Sequence, residues 1–132
     1  GVAALFHQVE LPPKASSSAV PTSPTYRCTT LFTDDTGQRL TLSLFGEHSP
    51  ILCIERTKEG YIVTMSRNSH PLIAADHEFE TSFLVRLPDV NPLDIDVFVD
   101  HGLVEISLAQ GLYWFSNIFF PSDPAGAVQI LG

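Results

Sequence analysis

Basic residues are scarce in this chain. Seven Lys and Arg stand against fifteen Asp and Glu, giving a net charge of −8 over 132 residues. A phosphate-tracking surface needs clustered positive charge, so a nucleic-acid partner is not expected. No apolar run approaches the ~18–20 residues that a membrane-spanning helix requires, so a soluble chain without a membrane partner is expected. The opening Gly1-Val2-Ala3-Ala4-Leu5-Phe6 is too short for a signal peptide and lacks its basic flank; no Asn-x-Ser/Thr acceptor occurs, and the compartment stays open. Only two cysteines are present, Cys28 and Cys53. A bridge between them would close a loop of about 25 residues, worth on the order of 3 kcal/mol; two free thiols acting as small hydrophobes are the favoured reading. The five histidines, His7, His48, His70, His77 and His101, share no ligand spacing, so neither a metal nor a cofactor is expected. Glycine-rich phosphate loops and a Gly-x-Ser-x-Gly elbow are also missing, which removes the usual signatures of nucleotide binding and of esterase chemistry.

What is present is β-forming. The apolar fraction is 44%, with ten prolines and eight glycines, a composition suited to short strands joined by turns. The clearest stretch runs from Leu93 to Leu108, two alternating segments folded back at His101-Gly102. If Val99 faces Val104, then Val97 meets Ile106 and Ile95 meets Leu108, and the branched aliphatics share one face. The other face carries Asp94, Asp96, Phe98 and Asp100 against Leu103, Glu105 and Ser107, a mixed surface able to meet solvent or a neighbouring domain. Gly102 can adopt the positive φ of a tight turn, and His101 tolerates it better than a branched residue would.

Gly1 to Glu10 offers a first strand, with Phe6 and Val9 as candidates for burial. Residues 11–24 hold four prolines and four serines, which excludes a regular central strand and predicts a loop or surface strap (11–25) rather than an interdomain linker. Tyr26–Thr33, the turn Asp34-Asp35-Thr36-Gly37 and the alternating Leu40, Leu42 and Leu44 read as one hairpin. Ile51–Thr57, the turn Lys58-Glu59-Gly60 and Tyr61–Arg67 read as a second. Residues 68–76 form a connection, His77–Leu87 a longer strand, and Pro88–Pro92 a stop. Leu112–Phe120 is apolar on both alternating sets, which suggests a strand covered on both faces by layers of this domain or by another domain. Ala127–Leu131 adds a last strand. Without sustained helical periodicity, about ten short strands in one domain over 1–132 predict an all-β, two-layer antiparallel β-sandwich.

Paired carboxylates are the first chemistry to weigh. Asp100 and Glu105 lie diagonally on one face of the ribbon, a separation compatible with an acid and its partner. A structural role fits better, Asp100 bracing the turn through backbone bonds and Glu105 pairing with a basic group, because a hairpin edge offers no apolar pocket to raise one pKa. Among the aromatics, Tyr113 and Trp114 alternate to opposite faces and cannot form one sugar platform. Packing in the core or against another domain is the expected role for this stretch, and Trp114 is the candidate carbohydrate contact if one ring is exposed.

The run Val97-Phe98-Val99-Asp100, three intervening residues, Val104-Glu105-Ile106, then Gly111 and Ile118-Phe119-Phe120-Pro121 resembles the C-terminal β-sandwich module of glycoside hydrolase family 32, the invertase, inulinase and levanase type. The family pattern has Arg-Ser-Ser after the Asp and a Phe two residues after the Glu; here His101, Gly102, Leu103 and Ser107 stand there. Ser66-Arg67-Asn68-Ser69 is similar to the family's Asp-Arg-Ser segment without its Asp. The resemblance implies a sandwich attached to an N-terminal five-bladed catalytic propeller, which supplies the carboxylates in Asn-Asp-Pro-Asn-Gly, Arg-Asp-Pro and Glu-Cys motifs. None of these occurs here as it should stand; Ser122-Asp123-Pro124 lacks the Arg and reads as a turn. The implied role is therefore a non-catalytic module that buttresses the propeller of a sucrose- or fructan-cleaving hydrolase and takes part in a homodimer, with Asp96, Phe98 and Glu105 in a domain or subunit contact. A free-standing glycan-binding module and a self-sufficient sandwich enzyme are the alternatives.

Overall fold

A computed structural model describes residues 6–47, 50–65 and 83–131, the side chains at 83 and 84 excepted. The described residues form eleven strands in two sheets. The first sheet joins β1 (His7–Glu10), β3 (Thr25–Phe32), β8 (Leu93–Asp100), β9 (Leu103–Leu108) and β10 (Tyr113–Ile118), in that order. The second joins β2 (Ser18–Ala19), β11 (Val128–Ile130), β4 (Arg39–Ser43), β5 (Leu52–Arg56), β6 (Gly60–Met65) and β7 (Phe83–Pro88). Every pairing is antiparallel except β1 with β3. The fold is the predicted all-β sandwich.

The central ribbon has the register that its alternation demands: Ile95 faces Leu108, Val97 faces Ile106 and Val99 faces Val104. All six side chains are buried, as are Tyr26, Cys28 and Phe32 on the same face of β3. From the opposite layer come Leu40, Leu42, Ile54, Val63 and Met65, also buried. Removing such side chains from water is worth about 1.5–3 kcal/mol each, the chief force holding the layers together. Phe32 and Tyr61 meet edge to face across the layers at 5.3 Å between ring centroids. At the ribbon's turn His101 takes φ 48° and Gly102 φ 101°. A Cβ on Gly102 would lie 2.6 Å from the Phe119 carbonyl oxygen, so both the angle and the space require glycine.

The Pro/Ser-rich segment is a strap between the layers, and it contributes the eleventh strand. Its fourteen residues (11–24) let β1 and β3 lie parallel, a pairing that needs a crossover of a dozen or more residues. Leu11 is buried and its amide donates to the Thr29 carbonyl at 3.0 Å, while Ser16 N–H donates to the Ile130 carbonyl at 2.8 Å on the second sheet.

Two expectations are corrected. β3 and β4 are not a hairpin: β3 pairs along its whole length with β8, and β4 lies in the other sheet between β11 and β5. Asp34–Thr36 forms a single 3-10 turn at that corner, with the Thr33 amide donating to Thr36 Oγ1 at 2.9 Å. An Asp-Asp-Thr-Gly turn signal serves a change of sheet as well as a hairpin; the eight-residue match with β8 decides the pairing. Likewise, among the described residues, β10 is not covered on both faces by layers of this domain and is an edge strand. Its Tyr113 and Phe115 pack partly buried on the core, whereas Trp114 and Ile118 are 55% and 61% exposed. The second expected hairpin is β5–β6. The 68–76 connection, the Ser66–Ser69 segment and residues 77–82 of the longer strand lie outside the described residues.

Candidate functional site

The outer face of the five-stranded sheet carries the residues singled out from the sequence. Alternation along β8 and β9 turns Asp94, Asp96, Phe98, Asp100, Leu103 and Glu105 outward while their neighbours fill the core. β3 adds Arg27, aligned with Phe98, and β10 adds Trp114, aligned with Ser107. Asp96, Phe98 and Glu105 thus share one surface with Trp114.

That surface is organised around Phe98. Trp114 lies nearly parallel to it, with centroids 6.1 Å apart and 23° between planes, and Phe6 meets it edge-on at 5.7 Å. The Arg27 guanidinium sits 5.2 Å from the Phe98 centroid and grips Asp96 with two bonds, Nε to Oδ1 at 2.7 Å and Nη2 to Oδ2 at 2.6 Å. Arg27 was not anticipated here, and Phe6, expected with Val9 to be buried, is only half-buried and packs on the outer face. Alternation already sends Arg27 to the face opposite Tyr26 and Cys28, but pairing β3 with β4 hid its place beside β8.

Asp100 and Glu105 line a shallow pocket of about 110 Å³ with Phe6, Phe98 and Leu103. This falls short of the roughly 300 Å³ of a small-molecule site. The Asp100 carboxylate accepts from His101 Nδ1 at 2.8 Å and from Thr25 Oγ1 at 2.9 Å, side-chain bonds rather than the expected backbone ones. These bonds, that from His101 foremost, hold its pKa below the ordinary aspartate value, the opposite of what a proton donor needs. Glu105 is exposed and, among the described residues, has no ion-pair partner, so the expected basic neighbour is not found.

A larger groove of about 370 Å³ opens at the β1 side, between Glu10, Pro13, Arg27, Leu31, Asp94 and Asp96. Two of its three carboxylates are already engaged, Asp96 by Arg27 and Asp94 by the Gln110 amide, which lies 3.0 and 2.9 Å from its two oxygens.

Ser122-Asp123-Pro124 is part of a turn, with the Ala125 amide donating to Asp123 Oδ1 at 3.2 Å and the Gly126 amide to the Asp123 carbonyl at 3.0 Å. Among the described residues no three His, Cys, Asp or Glu side chains are grouped to hold a metal ion, and no helix is long and apolar enough to cross a membrane. His48, His70 and His77 lie outside the described residues.

Comparison with known proteins follows the same lines. The family model described as "Glycosyl hydrolases family 32 C terminal" matches residues 6–131. No curated protein sequence matches the chain. Among solved structures, sucrose-6-phosphate hydrolase from Lactobacillus gasseri superposes with a TM-score of 0.58 at 23% identity, over 79% of this chain and 21% of its own length. The chain therefore spans about a fifth of that enzyme, and the likeness is one of fold.

Proposed function

Because this chain belongs to the C-terminal family of the family 32 glycosyl hydrolases, we propose that it is the non-catalytic β-sandwich module of a sucrose- or fructan-cleaving hydrolase. The whole domain, 1–132, stands beside an N-terminal β-propeller that supplies the catalytic carboxylates and that this module supports. The match over residues 6–131 carries the reading. The enzyme whose sandwich shares this fold is itself a sucrose-6-phosphate hydrolase, which supports a sucrose-like substrate for the parent protein.

The surface around Phe98 is the proposed contact with the propeller. It combines a half-buried aromatic, the Arg27–Asp96 pair and the β1-side groove, a mixture typical of interfaces between domains of one chain. Phe6, near the start of the described chain, already packs on Phe98. Asp96, Phe98 and Glu105 are the residues expected there. Self-association of the module into a homodimer belongs to the same proposal.

The test is hydrolysis of sucrose, inulin and levan by the purified chain and by the same chain joined to its propeller. Inert isolated chain and active joined protein support the proposal; turnover by the isolated chain contradicts it.

A second reading, a glycan-binding module, draws support from Trp114, which is 55% exposed beside Phe98. It requires the isolated domain to bind fructan or another glycan and Trp114→Ala to abolish that binding.

A further inference from the structure

Among the described residues the sandwich has four sheet edges, and three are blunted in ways that discourage pairing with another chain. β1 is four residues long and carries Glu10; β2 is two residues long; β7 carries Arg86 and Pro88. β10 has none of these devices. It is six residues long, and residues 111–120, Gly-Leu-Tyr-Trp-Phe-Ser-Asn-Ile-Phe-Phe, contain no charge in a chain whose net charge is −8.

Its backbone is also poised for a partner. The Phe119 amide donates to the Gly102 carbonyl at 2.8 Å, and the β9–β10 register continues that ladder. Hydrogen-bonded pairs alternate along an antiparallel ladder, so Tyr113, Phe115 and Asn117 bond inward to β9 while the amides of Trp114, Ser116 and Ile118 point away from the sheet. Asn117 Oδ1 takes the Ile118 amide at 2.9 Å. Among the described residues none takes the Trp114 or Ser116 amide.

We infer that β10 is a self-association edge, pairing antiparallel with β10 of a second copy about a twofold axis at Ser116 and joining two five-stranded sheets into one of ten strands. This register preserves the facing of every side chain, because only residues whose numbers sum to an even value share a face, and it uses the outward amides of Trp114 and Ser116. On the outer face it sets the exposed Trp114 against Ile118 of the second copy, both ways, covering the two large apolar side chains that β10 leaves in solvent. Glu105 aligns with Ser116 on β9, so the two copies' Glu105 would stand three strand spacings apart, about 14 Å. That exceeds the Debye length of about 8 Å, and repulsion there is screened. The second copy suits this strip better than a charged partner does, since nothing along it offers an ion pair.

The inference deepens the homodimer reading and does not depend on the parent's substrate. A contact centred on one six-residue strand lies at the small end of interface sizes, so the dimer is weak and concentration-dependent. Sedimentation of the 132-residue chain over about a hundred-fold range of concentration should show monomer passing to dimer by mass action. Ile118→Lys, at a position exposed enough to leave the fold intact, should raise the dimer dissociation constant at least about ten-fold by placing charge on the edge. Ser116→Cys in a Cys53→Ser background should give a disulfide-linked dimer under mild oxidation, because self-paired residues in such a ladder have Cα atoms about 5.5 Å apart. Glu59→Cys, on an exposed turn, should not. A monomer at all concentrations overturns both the dimer and the edge. A dimer indifferent to Ile118→Lys and not captured through Ser116→Cys overturns the edge alone. So does a monomeric propeller-joined protein in which Ser116→Cys is shielded from alkylation, since the propeller is then the occupant.

Discussion

Arg27 on β3 holds Asp96 on β8 through two parallel hydrogen bonds while its guanidinium lies over the ring of Phe98, two residues further along the same strand. One side chain thereby fixes both an acid and an aromatic on the outer face. The pair is partly buried, with 32% and 18% of the side chains exposed, and bidentate geometry favours it over an ordinary surface ion pair. A double-mutant cycle of Arg27→Met and Asp96→Asn, read by denaturant unfolding, should give a coupling of about 1 kcal/mol. A coupling indistinguishable from zero would make the pair incidental.

The ribbon register makes a sharper claim about stability. Ile106 is fully buried between the layers, whereas Leu103 on the same strand is 42% exposed on the outer face. Ile106→Ala should cost about 2–5 kcal/mol and Leu103→Ala about 0.5 kcal/mol or less. Equal losses would mean that the two faces of β9 are not distinguished as described.

Asp100 gives the acid limb of stability a specific origin. Its pKa is lowered in the folded chain by hydrogen bonds from His101 and Thr25, so the unfolded chain binds more protons as the pH falls. The stabilisation is present above the ordinary aspartate value of about 3.9 and is lost as pH falls through the lower folded value. Thermal unfolding followed from about pH 5 to about pH 2 should therefore fall less steeply in Asp100→Asn than in the parent chain. Identical slopes would deny Asp100 a role.

The thiols should behave differently from each other. Cys28 points into the core and its pKa is pushed up to about 12, mainly by burial, whereas Cys53 is half-buried on the second sheet, and both are free. The thiolate is the reactive form, so a disulfide reagent should label Cys53 in the native protein and Cys28 only on unfolding. Equal labelling of both in native conditions would contradict this placement.

Much of this was legible in the chain. Strict alternation from Ile95 to Leu108 sufficed for the ribbon register, because a one-residue slip would have driven every aliphatic into water. The outward placement of Asp96, Phe98 and Glu105 followed from the same alternation. The partner of β3 was not legible, since Asp34–Gly37 signals a turn without saying whether the chain returns to the same sheet or crosses to the other. Arg27 was lost with it. Trp114 was correctly separated from Tyr113 by alternation, but its exposure depended on which face of β10 is turned away from the second sheet, which sequence spacing does not encode.

Phe6 and Trp114 both pack on Phe98, while the acids around them are engaged or lie in a pocket too small for a sugar. The most direct measurement is release of reducing sugar from sucrose, inulin and levan by the purified 132-residue chain, alongside the same chain joined to a family 32 propeller. A module without catalytic carboxylates gives no release alone and release only when joined; hydrolysis by the isolated chain, abolished by Asp100→Asn or Glu105→Gln, would contradict a non-catalytic role.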